Sequence, residues 1–293
     1  MARSFESASD RLPPALYLVA TPIGNLGDLS FRAVTILQSV AIIACEDTRV
    51  TAKLCHSFDI KTRRIRFDDH QSPEARQRLL AEITAGKSVA LVSDAGSPLV
   101  SDPGQELVRE AIAQAIRVEV IPGASAVLTA LLGSGLPTQP FAFCGFIERQ
   151  ASRRTRQLAG VKNFPGTLVF FESPHRVAAS LQFIAEVLGN RPAVVARELT
   201  KIYEEYRRGM PLKLAEQIEQ GAPLKGEVVI LLAPPEAAER AYSEPEVDSL
   251  LRQSLQLMSF RDAVQSVAAA TGLSRRNLFS RALELQSEPD HET

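Results

Sequence analysis

Short, wholly apolar segments alternate along most of the chain with segments in which apolar residues recur every three or four positions. The first pattern predicts buried β-strands and the second predicts amphipathic α-helices. In the first part of the chain we predict strands at 16–20, 41–45, 89–93 and 118–121, and helices at 31–40, 47–57, 73–85 and 105–115. Apolar strands that alternate with helices indicate a parallel sheet covered on both faces.

A second block of the same kind begins after the Gly- and Pro-rich segment 132–140. It predicts strands at 142–146, 167–171, 193–196 and 227–232, and a capped helix within 173–189. Beyond Pro234 and Pro235 the strand signal stops, and three amphipathic helices are predicted in 244–258, 259–272 and 273–286. The last two are joined through Gly272 with the spacing of a helix–turn–helix.

These patterns divide the chain into four parts. We predict a disordered lead-in at 1–14, an N-terminal α/β domain at 15–135, a second α/β domain at 136–236 and a helical C-terminal domain at 237–293. Hydrophobic residues make up 45% of the 293 residues and charged residues 23%, which are ordinary values for a globular protein.

Composition excludes several kinds of site and partner. The net charge of −1 gives no overall electrostatic case for nucleic acid, so any such case depends on local clusters. The three cysteines lack C-x-x-C spacing and the histidines share no ligand spacing, so we expect no metal site. No apolar run approaches the ~20 residues of a membrane span, and the N-terminus lacks a signal-peptide core. We therefore expect a cytoplasmic protein with no membrane partner.

Loops rich in small and acidic residues follow four predicted strands of the first block: "TPIGNLGD", "EDTR", "SDAGSPLVSDPG" and "PGASA". The carboxyl ends of strands in an open α/β sheet are where ligands bind. The acidic residues Asp28, Glu46, Asp47 and Asp94 disfavour a polyphosphate and favour a cationic or hydroxyl-rich ligand. A pairing of Asp47 with Arg49 would weaken that preference.

The ordered motifs "ATPIGNLGDLS", "ACEDTR", "SDAGSPLVSDPG", "IPGASAV", "FFESPHR", "ARELTKIYEE" and "KGEVVILL" resemble the bacterial small-subunit ribosomal RNA methyltransferase I group of the tetrapyrrole methylase superfamily. The resemblance implies a parallel-sheet N-terminal domain, a mixed-sheet second domain and a small helical C-terminal domain. It also implies S-adenosylmethionine-dependent 2′-O-methylation of a cytidine in 16S rRNA, at the decoding centre of the 30S subunit. The enzyme is expected to be a homodimer, with the first glycine loop (22–28) as a wall on the substrate side.

The same resemblance implies which residues contact S-adenosylmethionine, and it places the cofactor in a cleft between the two α/β domains. The expected cofactor-binding residues are Ser93, Asp94, Ala95, Leu99, Ser125, Ala126, Phe171 and Glu172, with Ala196, Arg197, Gly226 and Glu227 as looser candidates.

Methyl transfer from a sulfonium needs a well-placed acceptor oxygen, and a positioned base or cation assists it. The candidate catalytic residues are Asp28, Glu46, Asp47 and Lys201. We expect the carboxylates to orient the ribose and Lys201 to stabilise negative charge, but the sequence does not choose the base.

RNA contacts require local positive charge. Arginines concentrate in "ERQASRRTRQ", which resembles the mobile basic loop of the family, and we expect Arg149, Arg153, Arg154 and Arg156 to bind RNA. A second basic run is "KTRRIR", residues 61–66. Two alternatives stay open: a tetrapyrrole C-methyltransferase, which the arginine runs and helical tail disfavour, and a non-catalytic RNA-binding protein, which the intact loop motifs disfavour.

Overall fold

The three inner strands of the first sheet are short, apolar and fully buried. In this computed structural model, which describes residues 12–68, 73–235 and 243–287, the strands of the first sheet are β1 (Leu16–Val19), β2 (Ile42–Cys45), β3 (Arg64–Arg66), β4 (Val89–Val92) and β5 (Val118–Ile121). Their order is β3-β2-β4-β1-β5 and every pairing is parallel. The first four helices are α1 (Phe31–Ser39), α2 (Thr48–Ser57), α3 (Pro73–Thr84) and α4 (Gln105–Ala113).

Alternate residues of these strands bury on opposite faces of the sheet. Tyr17 and Ile43 belong to the core that contains Leu37 of α1. Leu91 faces the other way and belongs to the core that contains Leu107 of α4. Because both faces are dry, a strand with no polar position is the expected sequence, as the pattern of apolar runs predicts.

The second sheet is mixed. Its strands are β6 (Phe141–Phe146), β7 (Thr167–Glu172), β8 (Ala193–Arg197), β9 (Glu205–Gly209) and β10 (Val228–Leu232), in the order β6-β7-β10-β8-β9. β6 and β7 are parallel, and the other neighbours are antiparallel. One core on this sheet contains residues of α6 (Ala151–Val161), α7 (Val177–Leu188) and α8 (Pro211–Gln220).

The opposite face of the second sheet is covered by α5 (Ala126–Ser134), which follows β5 in the chain. Ala130 and Leu131 of α5 share a core with Val169, Val194 and Leu231. The helix therefore belongs by packing to the second sheet, although by sequence it ends the predicted N-terminal domain. This arrangement carries the loop after β5 across to the second sheet.

Residue contacts separate 235–293 from 1–234. The described part of that C-terminal unit consists of α9 (Glu244–Leu257), α10 (Phe260–Thr271) and α11 (Arg275–Ser287). Ser243 and Glu246 form a capping box at α9, and Gly272 ends α10 in the left-handed conformation. A small core with Leu251, Val267 and Leu278 holds the three helices together.

The predicted fold class is confirmed: a parallel first sheet, a mixed second sheet and a helical C-terminal region. The predicted strands and helices begin and end within two residues of their predicted bounds, with one exception. The helix predicted after β7 begins later, at Val177, because Pro174–Arg176 form a 3₁₀ turn. Of the predicted disordered lead-in at 1–14, residues 1–11 lie outside the described residues.

The prediction of a mobile basic loop at 148–157 is wrong for residues 151–157, because they lie in the helix α6. Two strands were also not predicted, β3 and β9, with the sequences RIR and EYRRG. Both are edge strands, and most of their residues are only partly buried. Their side chains are therefore largely polar, and the sequence lacks the apolar run that predicts a buried strand. In the part of the chain that the structure describes, no helix combines the length and apolarity needed to cross a bilayer.

Candidate functional site

Loops of both sheets enclose a cavity of about 340 Å³, which we name the central cleft. It lies at the carboxyl ends of the parallel strands β1 and β4, where open α/β sheets bind ligands. Its lining residues are Ile23, Asp94, Ala95, Val100, Ser101, Asp102, Ala126, Phe146, Phe171, Glu172, Ser173, Pro174, Leu199, Gly226, Glu227, Val228 and Val229. The wall is therefore largely apolar, with carboxylates at several points.

The loop after β4 has a fixed and unusual backbone. The buried Ser93 hydroxyl donates hydrogen bonds to the carbonyls of Ala95 and Gly96, at 3.2 and 3.0 Å. Leu99 and Ser101 have φ angles of 73° and 63°, which non-glycine residues seldom adopt. Such strain is concentrated at ligand sites in proteins, because the surrounding structure must hold it in place.

This backbone decides which loop residues face the central cleft. The side chain of Leu99, an expected cofactor contact, packs instead against the core under α4. Val100, Ser101 and Asp102 line the cleft in its place. None of these three residues was expected at the site from the sequence, although Asp102 belongs to the motif "SDAGSPLVSDPG" and is an acidic residue beside a glycine-containing turn.

Two carboxylates of this loop are desolvated. Burial raises the pKa of Asp102 to about 6; a hydrogen bond from Ser93 lowers it, and the charges of Glu46 and Asp94 raise it further. Burial also raises the pKa of Asp94, whose carboxylate accepts a hydrogen bond from the Asp47 backbone N–H at 3.2 Å. Among the described residues neither carboxylate forms an ion pair, so this side of the cleft is a region of negative potential.

Glu172 is also in the lining, but its carboxylate is occupied by the protein. It accepts hydrogen bonds from the Ser180 hydroxyl and from the Ser173 backbone N–H, the second at 2.7 Å. Arg176 Nη1 lies 3.3 Å from it, and the Glu172 side chain is fully buried. Glu172 therefore shapes the cleft wall by holding the turn after β7, while the adjacent ring of Phe171 lies at the surface of the cleft.

Beside the cleft residue Glu227 lies an ion-paired lysine, Lys201. Lys201 Nζ donates to Glu198 Oε1 at 2.7 Å and to Glu227 Oε2 at 2.8 Å. Burial lowers the pKa of Lys201, but the two carboxylates outweigh this and the pKa lies above its ordinary value. Gly226, with φ of 86°, passes so close to Glu198 that a Cβ would overlap its carboxylate. Lys201 is therefore a fixed cation and cannot act as a base at neutral pH.

A second cavity of about 320 Å³, the side trough, lies beside the central cleft and shares Ile23, Asp94, Ala95 and Glu227 with it. Its other lining residues are Thr21, Pro22, Gly24, Leu26, Val50, Lys53, Leu54, Ser57 and Lys201. The first glycine loop thus forms one wall of the trough, where a substrate-side wall was expected.

The remaining carboxylates predicted as catalytic have different environments. Asp47 caps α2 and binds the Arg49 guanidinium, with Oδ2 2.7 Å from Nη2, and this hydrogen bond holds its pKa well below the ordinary value. Glu46 is half-buried behind Asp102, whose pKa its charge raises. Asp28 is exposed in the 3₁₀ turn Leu26–Asp28. The structure therefore places Glu46 close enough to act on the charge of Asp102, and it commits Asp47 to Arg49.

Several expected cofactor contacts have structural partners. Ser125 caps α5, since its Oγ accepts from the Leu128 N–H, while the neighbouring Ala126 lines the central cleft. Ala196 is buried in the core under α5. Arg197 pairs with Glu205 at 3.2 Å. These residues hold the walls, and the exposed ring of Phe146, which the sequence analysis did not select, stands at the cleft beside Phe171.

The four arginines expected to bind RNA point in different directions. Arg149, Arg153 and Arg156 are exposed, the last two one turn apart on α6. Arg154 is half-buried, and its guanidinium lies 4.1 Å from the centroid of the Phe183 ring. Arg154 therefore anchors α6 on α7. Within the described residues, no group of three or more His, Cys, Asp or Glu side chains is placed to hold a metal ion.

Comparison with protein families agrees with this architecture. A family model described as Tetrapyrrole (Corrin/Porphyrin) Methylases matches residues 15–213, and one described as RsmI C-terminal HTH domain matches residues 241–286. A solved structure of uroporphyrin-III C-methyl transferase from Thermus thermophilus, complexed with S-adenosyl homocysteine, has a TM-score of 0.53 and 21% identity, covering 74% of this chain and 96% of that one. The two-sheet fold with its cleft is thus that of the tetrapyrrole methylase class.

Relatives of higher identity define the group within that class. The Ribosomal RNA small subunit methyltransferase I of Mesorhizobium japonicum is 46% identical over 94% of this chain and 93% of its own length. The protein of the same name from Halalkalibacterium halodurans is 40% identical over 95% of this chain and 97% of its own length. The chain belongs to the ribosomal RNA small subunit methyltransferase I family, which confirms the resemblance carried by the loop motifs.

Proposed function

We propose that this protein transfers a methyl group from S-adenosylmethionine to the 2′-hydroxyl of a cytidine in the 16S rRNA of the small ribosomal subunit, at the decoding centre. The names of its relatives support the rRNA substrate. The observation in the molecule that carries the proposal is the charge of the central cleft: of the four carboxylates that line it, Asp94 and Asp102 form no ion pair among the described residues, and no basic side chain of those residues lines it.

The residues present fit S-adenosylmethionine. A volume of about 340 Å³ lies within the range of roughly 300 to 1,000 Å³ for small-ligand sites. Asp94 and Asp102 supply negative charge and hydrogen-bond acceptors for a ligand with cationic groups and ribose hydroxyls. Ala126, Phe171 and Val228 supply the apolar surface for a nucleobase. A polyphosphate would meet only repulsion in this cleft.

When bound, the cofactor would supply a methyl group on a positively charged sulfur, which is already a strong leaving group. The work left to the protein is to place the acceptor oxygen and to exclude water. Asp94 lies on the wall that the central cleft shares with the side trough, and its carboxylate forms no ion pair among the described residues. We assign to Asp94 the orientation of the acceptor ribose, by accepting a hydrogen bond from its hydroxyl.

The four residues predicted as catalytic then take different roles. Lys201 pairs with both Glu198 and Glu227, which offset its charge, so we assign it the positioning of the Glu227 wall rather than the stabilisation of negative charge. Asp47 positions the loop, because its backbone N–H donates to Asp94. The negative charge of Glu46 acts on Asp102, whose pKa it raises. Asp28 is exposed on the first glycine loop, and we assign it the addition of negative charge there.

Three further proposals concern the form of the RNA substrate, the oligomeric state and the cellular compartment. We propose that the 30S subunit is the form of the RNA that is methylated, that the enzyme works as a homodimer and that it acts in the cytoplasm, where its substrate lies. Sedimentation velocity of the purified protein tests the dimer: a species near twice the chain mass of 31.9 kDa is expected.

The experiment that tests the function is transfer of tritiated methyl groups to 30S subunits that lack 2′-O-methylcytidine. Label is expected in 2′-O-methylcytidine after digestion of the 16S rRNA to nucleosides, and Asp94→Asn should slow its appearance. Uroporphyrinogen III is offered in parallel as the acceptor of the alternative activity. Label in the tetrapyrrole, or none in RNA, would overturn the proposal.

A further inference from the structure

The side trough has a composition unlike that of the central cleft. Its outer wall carries apolar side chains that are open to solvent: Leu26 is 48% exposed and Val50 is 39% exposed. Val50, Lys53, Leu54 and Ser57 of α2 all line it, and their spacing puts them on one face of that helix. The opposite face of α2, with Thr51 and Cys55, is buried. Single exposed apolar residues are common on protein surfaces, but Leu26 and Val50 line the same cavity, and grouped exposed apolar side chains mark ligand-binding grooves.

We propose that the side trough binds one unstacked pyrimidine nucleotide, the nucleotide that is methylated. This inference rests on the proposed function and names the substrate subsite. Among the described residues, the trough and the central cleft share Ile23, Asp94, Ala95 and Glu227, so a ribose at that shared wall would present its hydroxyl to the cofactor side. Its nucleobase would then lie between Leu26 and Val50.

The size and shape of the trough favour a single nucleotide over a helix. A cavity of about 320 Å³ is at the small end of small-ligand sites. Bases in an RNA helix are stacked and paired, and enzymes that act on one nucleotide take it out of the stack into a pocket with apolar walls. The exposed apolar side chains of the trough are such walls, and a base that covers them accounts for their position at the surface.

Lys53 supplies the recognition of a phosphate. The other lysine of the trough, Lys201, is neutralised by Glu198 and Glu227. No carboxylate of the described residues pairs with Lys53, whose side chain is exposed at the trough. A phosphate group on the 5′ or 3′ side of the bound ribose is the anion that such a lysine would meet.

Matched substitutions test the subsite. Val50→Glu puts a charge on the apolar wall, and the first turn of α2 tolerates an acidic residue; its control is Ile112→Glu, at a residue that is 63% exposed on α4. Lys53→Gln removes the cation that no described carboxylate pairs with. Its control is Lys61→Gln, because the exposed ammonium of Lys61 lies 3.6 Å from Asp59.

Each variant is assayed for methylation of 30S subunits, for affinity of S-adenosylhomocysteine and for binding of cytidine 5′-monophosphate by saturation-transfer NMR.

We expect kcat/KM on 30S subunits to fall at least tenfold in both Val50→Glu and Lys53→Gln. In Lys53→Gln the fall should come from a higher KM. The affinity for S-adenosylhomocysteine should stay within twofold of the parent in both variants. Cytidine 5′-monophosphate should bind the parent and both controls but not Val50→Glu. Normal methylation by both trough variants would overturn the inference and leave the proposed function intact. A parent that methylates no RNA would overturn the proposed function, and cytidine 5′-monophosphate binding would then decide the inference by itself: no binding would overturn it.

Discussion

The backbone of Gly24 lies directly against the side chain of Lys201. A Cβ on Gly24 would stand 2.5 Å from Lys201 Cγ and 3.0 Å from the carbonyl oxygen of Leu199. The next residue, Asn25, donates its backbone N–H to Thr200 Oγ1 at 3.1 Å. The first glycine loop is therefore docked on the turn after β8, and the glycine is needed for close approach rather than for a positive φ.

Gly24→Ala should separate the two loops at the side trough. Because one of the atoms in the way is backbone, the loop must move, at a cost of about 1 kcal/mol in the free energy of unfolding. We expect methylation of 30S subunits to fall at least tenfold while S-adenosylhomocysteine affinity changes little. Gly27→Ala is the control on the same loop, since its added Cβ would meet only the Asn25 side chain, at 3.1 Å. Equal activity of the two variants would contradict the docking argument.

Lys201→Met should destabilise the protein in a pH-dependent manner. The hydrogen bond from Lys201 lowers the pKa of Glu198 below its ordinary value. A carboxylate with a lowered pKa adds stability above its unfolded pKa of about 4.3, and this stability is lost as the pH falls through the folded value. We expect a loss of about 1 kcal/mol at pH 7, because the lysine is part-exposed, and a smaller loss at pH 4. Urea unfolding measures both, with Lys61→Met as the control; a pH-independent difference would show that packing dominates.

Asp102 should make cofactor binding depend on pH. Its pKa is about 6, whereas the unfolded value is about 3.9, so the folded protein holds this proton more tightly and the carboxylate becomes charged only as the pH rises through about 6. Glu46 and Asp94 are the acidic groups that face it, and Ser93 is its hydrogen-bond partner. If the carboxylate receives the α-ammonium group, which S-adenosylmethionine and S-adenosylhomocysteine share, S-adenosylhomocysteine affinity should increase between pH 5 and pH 7.

Calorimetry across that range measures the effect, and Asp102→Asn is the decisive variant. It keeps the shape of the side chain but cannot become charged, so its affinity should be weak and nearly constant with pH. An Asn variant that retains the pH dependence of the parent would assign the titration to Asp94 or Glu46 instead.

Much of this architecture is predictable because the local patterns are strong. A parallel sheet with both faces covered leaves strands such as Val89–Val92 without any polar residue, and the loops that follow them stand out by contrast. The loop that contains Asp94 and Ala95 could be placed at the ligand-binding edge for the same reason, because it comes directly after a central strand; the individual contacts were implied by the family resemblance.

What could not be predicted depends on single backbone angles and on distant partners. The positive φ of Leu99 turns its side chain into the core, and Asp102 three residues later faces the cleft; neither direction follows from the order of residues. Arg154 is one of several arginines in a row, and only the fold shows that it meets Phe183. The helix α5 was not predicted, and nothing in the order of residues shows that it covers the second sheet.

The arginines of α6 should separate into two classes. Arg153→Glu with Arg156→Glu changes exposed charges and should weaken RNA binding, with the salt slope reduced by roughly 0.7 to 0.9 for each phosphate that is no longer neutralised. Arg154→Glu removes the cation from the Phe183 ring and should cost about 1 kcal/mol of unfolding free energy. Filter binding at several salt concentrations and urea unfolding distinguish the classes. An unchanged salt slope in the double variant would move the RNA path away from α6.

The C-terminal helices should be separable from the catalytic part of the chain. Contacts divide the chain at Pro234 and Pro235, and the described helices have a core of their own. Arg281 binds Asp248 and Glu284 within this unit, so of its arginines the exposed Arg261, Arg275 and Arg276 are better placed for RNA phosphates.

Exposed apolar residues of α11, Phe279 and Leu283, accompany this modest positive charge. The combination favours docking on the folded subunit by shape and a few charges, because the narrow major groove of A-form RNA does not admit a helix. Truncation after Pro235 should therefore leave a folded protein that binds S-adenosylhomocysteine like the parent, while kcat/KM on 30S subunits falls at least tenfold through KM. Circular dichroism, calorimetry and the methylation assay test the three parts. Full methylation would show that the helices do not position the substrate, and an unfolded product would show that they stabilise the enzyme instead.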